Sequence, residues 1–138
     1  MKANLNGRWA YRSFRHGPIS VKDGKVEGAP QLALPWTPVG DFDAATNDAG
    51  EVTATLTFGP GVVLQVAGKI TSAGTTPAGE ERPAAMEVTG EGRGSHYAIK
   101  GFFVTDDCVV GTVLCTANDL AKQPVGTAGP FVLLRARR

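Results

Sequence analysis

Gly7-Arg8-Trp9-Ala10-Tyr11-Arg12-Ser13-Phe14, introduced by Leu5-Asn6, decides how the rest of the chain is read. From Arg8 to Phe14 the side chains alternate with a period of two, which sets Trp9, Tyr11 and Ser13 on one face and Arg8, Ala10, Arg12 and Phe14 on the other. Two arginines backing an indole and a phenol describe a strand with one buried and one solvent face. Gly7 lacks a Cβ, so a backbone or a large ring can come close to it, and Trp9 is expected to plug the floor of a small barrel that closes on this first strand.

Composition agrees with that expectation. The chain has 138 residues, enough for one domain (1–138) with a proper core, and its 18 Gly and 9 Pro suit an all-β protein with many tight turns. Fourteen basic and thirteen acidic side chains leave a formal charge of +1, which provides no electrostatic case for nucleic acid or an acidic membrane as partner. No stretch approaches the roughly 20 apolar residues of a membrane span, and the N-terminus lacks the apolar core of a secretory signal; a cytoplasmic protein is expected.

Further strands follow along the chain. His16-Gly17-Pro18 breaks the first one, and Ile19 to Val26 reads as a small hairpin around Asp23-Gly24, a favoured type I′ pair. Pro35 and Pro38 restrict Gln31 to Trp36 to an edge strand or an extended lid. Asp41 to Gly50, rich in Asp, Ala and Asn, reads as a loop. The clearest hairpin runs from Val52 to Phe58, through Gly59-Pro60-Gly61, and back from Val62 to Ile70. Thr71 to Pro83 has no periodicity and reads as a polar loop. Ala85 to Thr89, His96 to Thr105, Cys108 to Thr116 and Phe131 to Arg137 complete a set of about eight strands, separated by Gly90 to Gly94, Asp106-Asp107 and the loop Asn118 to Thr127. Eight is the number at which an antiparallel up-and-down β-barrel just holds side chains or one small ligand.

Few residues offer chemistry. His16 and His96 are the only histidines, and no Cys or His pair has zinc spacing, so neither a metal nor another cofactor is expected. Cys108 and Cys115 lie seven strand steps apart, roughly 23 Å, on opposite faces, whereas a disulfide tolerates only about 4.4–6.8 Å between Cα atoms; both are expected as free thiols. Gly90 to Gly94 lacks the following helix that a phosphate cradle needs. The aromatic set is the best candidate for a ligand site: Trp9, Tyr11, Trp36, Tyr97 and Phe103 around the interior or its mouth, with Ser13, Thr105, Thr112 and Asn118 as polar contacts.

The opening Gly7-x-Trp9 together with Phe131 to Arg137 as a last strand resembles the calycins, the lipocalin and avidin-like barrels. The resemblance implies an eight-stranded calycin-like barrel with a basic side chain, Arg135 or Arg137, over Trp9; a guanidinium stacked on an indole contributes about 0.5–2 kcal/mol. The avidin-like branch is similar in length, yet only two Trp are present and Tyr11 follows Trp9 where biotin binders carry their polar residue, which argues against biotin. Tetramer formation does not carry over, and a homo-oligomer stays open. The functional expectation is a barrel that binds one small apolar or aromatic molecule. The alternative is a cyclase or isomerase using the same cavity, with Tyr11, Tyr97 or His96 as proton donor. A partner-binding module without a pocket is the third reading.

Overall fold

A computed structural model describes residues 3–15, 20–27 and 34–136. Eight long strands form one meander: β1 (Gly7–Arg15), β2 (Gly40–Thr46), β3 (Glu51–Gly59), β4 (Val62–Thr71), β5 (Ala85–Gly92), β6 (Ser95–Thr105), β7 (Cys108–Ala117) and β8 (Ala128–Arg135). Each pairs antiparallel with the next, and β8 returns to β1 with Arg135 opposite Trp9 and Phe131 opposite Ser13. The sheet is a closed, eight-stranded antiparallel barrel, and closure leaves the long strands no open edge.

The alternation of the first strand is realised. Trp9, Tyr11 and Ser13 are buried inside, while Arg8 and Arg12 face solvent. Arg135 supplies the guanidinium over Trp9, with its central carbon 4.2 Å from the ring centroid; Arg137 lies outside the described residues. The same guanidinium donates to Asp107 Oδ1 at 2.9 Å and to the carbonyls of Asn6, Asn4 and Asp106, and the Trp9 indole donates to the Leu5 carbonyl at 2.9 Å. One side chain thus ties the N-terminal segment, the β6–β7 turn and the last strand across the floor.

Above this floor the interior is apolar, with Phe42, Val52, Leu56, Val66, Met86, Val88, Ile99, Val113, Phe131 and Leu133 all buried. Tyr11 stacks on Phe131 and meets Phe58 edge-on, each at 5.9 Å between centroids. Gly101 and Gly111 lie opposite one another beside Phe131, and a Cβ on Gly101 would come 2.9 Å from the tip of that ring. A Cβ on Gly111 would overlap the Lys100 carbonyl oxygen, so this pair makes room for both the ring and the close approach of the neighbouring backbone.

Three expectations are corrected. Asp41 to Gly50 is not all loop: Gly40–Thr46 is β2, with Gly40, Phe42 and Ala44 inside and Asp41 and Asp43 outside. Its carboxylates belong to a solvated strand face, not to a turn. The polar stretch after β4 is not featureless, because Gly74–Thr75 pairs with Glu81–Arg82. The closing strand starts earlier than Phe131, at Ala128, since Gly129 and Pro130 already pair with Val113 and Thr112. The hairpin at Asp23-Gly24 forms, with φ of 52° and 74° at the two turn residues, but as a separate pair, Ser20–Lys22 with Lys25–Glu27. His16 to Pro18 and Gln31 to Ala33 fall outside the described residues. Cys108 and Cys115 are free, the first half-buried and the second buried inside β7.

Arg135→Ala is expected to lower unfolding free energy by about 2–4 kcal/mol through loss of the stacking and charge-assisted bonds, and Arg135→Lys to recover no more than about half of it. Gly111→Ala is expected to cost about 3 kcal/mol by overpacking against backbone. Chemical denaturation followed at Trp emission measures both.

Candidate functional site

Polar chemistry collects at the end opposite Trp9, where β1, β6 and the β7–β8 loop meet the segment that precedes β2. Leu34–Pro35 pairs briefly with Phe14 and Arg15 of β1, and the Trp36 amide donates to the Ser13 carbonyl at 3.0 Å. This turns the Trp36 indole over the mouth, where it is 5% exposed. Its Nε1 donates to Asp119 Oδ2 at 2.9 Å. Tyr97, projecting inward from β6, donates its hydroxyl to Asp119 Oδ1 at 2.7 Å and meets Trp36 edge-on, at 6.2 Å and 75°.

Asp119 is the only buried carboxylate among the described residues, and no lysine or arginine there pairs with it. Burying such a group without partners costs several kcal/mol, so its bonds are decisive. Besides Trp36 and Tyr97 it accepts the Gln123 amide at 3.1 Å, while Leu120 N donates to the Tyr97 hydroxyl at 2.8 Å. The loop that carries it is held by Ser95, whose hydroxyl donates to the Asn118 carbonyl, and by Asn118 Nδ2, which donates to Gly94 O at 3.1 Å. Asn118 and Lys122 both adopt positive φ, 44° and 63°, on either side of the carboxylate.

Beneath Trp36 lies a pocket walled by Tyr11, Leu56, Phe58, Leu64, Ile99, Val113 and Leu120, with Ser13 and Thr37 as hydroxyls 3.5 Å apart at its rim. Its free volume is about 10 Å³, roughly the room of one water molecule, so Trp36 fills the mouth as it stands. An open cleft of about 560 Å³ on the outer side, bordered by Arg93, Asn118, Asp119, Lys122 and Gln123, shares Leu120 with the pocket wall.

The structure brings Tyr11, Ser13, Trp36 and Tyr97 together here, with Asn118 next to Asp119 in the loop. Trp9 lies at the far end, in the floor. Phe103 is half-buried against the core, Thr105 is exposed at the floor-end turn, and Thr112 faces solvent on β7. His96 is on the outer surface, 3.3 Å from Glu91, away from the interior. Asp119, Thr37 and Leu120 escaped sequence reading. An isolated carboxylate in a polar loop carries no periodic signal, and only the contacts from Trp36 and Tyr97 reveal its burial.

Burial dominates the acid–base behaviour. It pushes the Tyr11 phenol up to about 12 against a partial lowering by the Ser13 hydrogen bond. Tyr97 is raised further, first by burial and then by its bond to Asp119. Burial, followed by the Asp119 charge, also raises the Cys115 thiol, which keeps it a poor nucleophile. Among the described residues no group of three or more His, Cys, Asp or Glu comes together as a metal site, and no helix is long and apolar enough to cross a membrane.

Fold and site together define a closed eight-stranded β-barrel whose mouth is capped by a tryptophan bonded to a buried aspartate. No protein-family model and no curated protein matches the chain. Among solved structures it is similar to one described as a redesigned β-barrel, with 16% identity over 96% of this chain and 92% of the other and a TM-score of 0.49.

Tyr11 and Tyr97 are the only tyrosines, so alkaline titration at 295 nm reads them cleanly. Both folded pKa values lie above the ordinary 10, so the unfolded chain loses its phenolic protons first. Stability from these groups is therefore complete below pH 10 and declines as pH rises from about 10 toward 12. The expected result is that no more than about a tenth of the tyrosinate absorbance has developed at pH 11 while the far-UV spectrum stays native; a normal titration near pH 10 would contradict the burial.

Proposed function

We propose that this protein binds one small, mostly apolar or aromatic molecule in the mouth half of the barrel, beneath Trp36. The observation that carries the reading is the origin of the plug. Every other large side chain around the pocket except Leu120 belongs to a barrel strand, whereas Trp36 comes from the connection between β1 and β2. It can leave without breaking any pairing between barrel strands, and its departure opens an apolar pocket with a few hydroxyls and one carboxylate at the rim, the usual make-up of a small-molecule site. What supports kinship with the calycins is the Gly7-x-Trp9 opening under the Arg135 guanidinium, at the closed end of an eight-stranded meander.

An enzyme using Tyr11, Tyr97 or His96 as acid finds less support. His96 faces away from the pocket, and the Tyr97 proton is directed to Asp119. Both phenols hold their protons well above neutral pH, which makes them weak acids at the pH values where such a donor works best.

Titration with N-phenyl-1-naphthylamine, an uncharged aromatic fluorophore, tests the reading. Binding is expected to saturate at one probe per chain, with a blue shift of the probe and a change in Trp36 emission that is absent from Trp36→Phe, while Trp9 emission stays constant. Unsaturable binding, or none with both tryptophans unmoved, would sink the proposal.

A further inference from the structure

We infer that Trp36 is the barrel's own stand-in for its ligand, and that the ligand class is a planar N–H heteroaromatic, indole being the simplest member, whose N–H takes the place of the Trp36 Nε1 at Asp119 Oδ2. The inference rests on the functional reading above and names what the pocket selects. Three features of the Trp36 side chain carry it. Its N–H is 2.9 Å from Oδ2, its ring lies edge-on to Tyr97 at 6.2 Å, and it spans the top of an apolar wall.

A plug that merely filled space would not require a carboxylate. Leu or Phe in place of Asp119 would cover the mouth without desolvating a charge, and a buried ion is retained at a net cost unless all its bonds are made. Here Oδ1 is fixed by Tyr97 and Oδ2 is oriented by the Gln123 amide, so the carboxylate stays positioned through two partners that do not involve Trp36. When the indole swings out, Oδ2 is left as an aligned acceptor where the apolar pocket meets the outer cleft that Asp119 borders. A charge-assisted N–H···O⁻ bond is about twice as strong as a neutral one, so a ring with an N–H at its edge is favoured there and one bearing an anionic edge is repelled. The cleft beside Leu120 provides space on the outer side of the mouth.

Calorimetric titration of the full chain and of Trp36→Ala with indole, 1-methylindole and naphthalene tests this. Removing the internal competitor is expected to tighten indole binding about tenfold or more, since apparent affinity scales with the open fraction. Trp36→Ala should also prefer indole over 1-methylindole by about tenfold, the N–H being the only donor lost. If Trp36→Ala does not fold, the same pair of ligands is compared by the rise in melting temperature of Trp36→Leu. Equal affinity for indole and 1-methylindole overturns the inference, as does a Trp36→Ala affinity no higher than that of the natural chain. Binding of naphthalene and indole alike by the natural chain would leave the functional reading standing and remove only the N–H selectivity. Indole-selective binding confined to the variant would support the pocket chemistry and refute the functional reading.

Discussion

The guanidinium of Arg135 over the Trp9 ring is the contact on which the rest of the barrel depends, because it stands where the first and last strands must meet. β1 and β8 are separated by more than a hundred residues, and their pairing brings a large loop-closure entropy that local hydrogen bonds alone offset poorly. At that seam a buried indole, a stacked cation and four hydrogen-bonding partners, three backbone carbonyls and Asp107, converge on one side chain. With the seam closed, no long strand exposes an unpaired edge, and every inward position becomes a core position.

Closure also separates the two ends chemically. The floor is satisfied by a single arginine, which leaves the layers above it free to be apolar and tightly filled, with Gly101 and Gly111 placed where the Phe131 ring needs room. Polar groups that a closed barrel cannot accommodate among its layers are pushed to the mouth. There Ser13, Tyr97 and Asp119 find partners in loops rather than in neighbouring strands. The site is therefore made of one half carried by strands, Tyr11, Leu56, Ile99 and Val113, and one half carried by loops, Trp36 and Asp119. Scaffold-borne walls with loop-borne contacts are the arrangement in which recognition residues most often occur.

How much of this was legible in the sequence follows from which residues speak locally. β1 and the β3–β4 hairpin were readable because Trp9, Tyr11 and Ser13, and then Val52, Ala54 and Leu56, alternate against polar neighbours without interruption. β2 was not, because Phe42 is its one large apolar residue and Asp41, Asp43 and Ala45 on the outer face imitate a loop; only the walls on either side demand a strand there. Thr112 was a poor choice of ligand contact for a reason already present in the sequence. Val109, Val113 and Cys115 share the inward parity of β7, and Thr112 has the other. Asp119 was illegible, since its partners Trp36 and Tyr97 lie 83 and 22 residues away, and nothing near it in sequence distinguishes it from a turn aspartate.

That last residue also explains why the mouth is held by hydrogen bonds when the floor is held by an ion pair and stacking. Arg135 is partly exposed and can remain charged at little cost beside Asp107 and the carbonyls. Asp119 is buried, so its charge is tolerated only while donors surround it. Removing the indole removes both a donor and part of that burial. The carboxylate is then partly rehydrated, which lowers the cost of opening below that of exposing a buried charge to nothing. A neutral apolar residue in its place would make the open state expose only greasy surface, and the cap would be harder to lift. The buried aspartate thus ties the cap to the barrel through hydrogen bonds, with Trp36 on one oxygen and Tyr97 on the other, while the pairing of the barrel strands beneath does not depend on them.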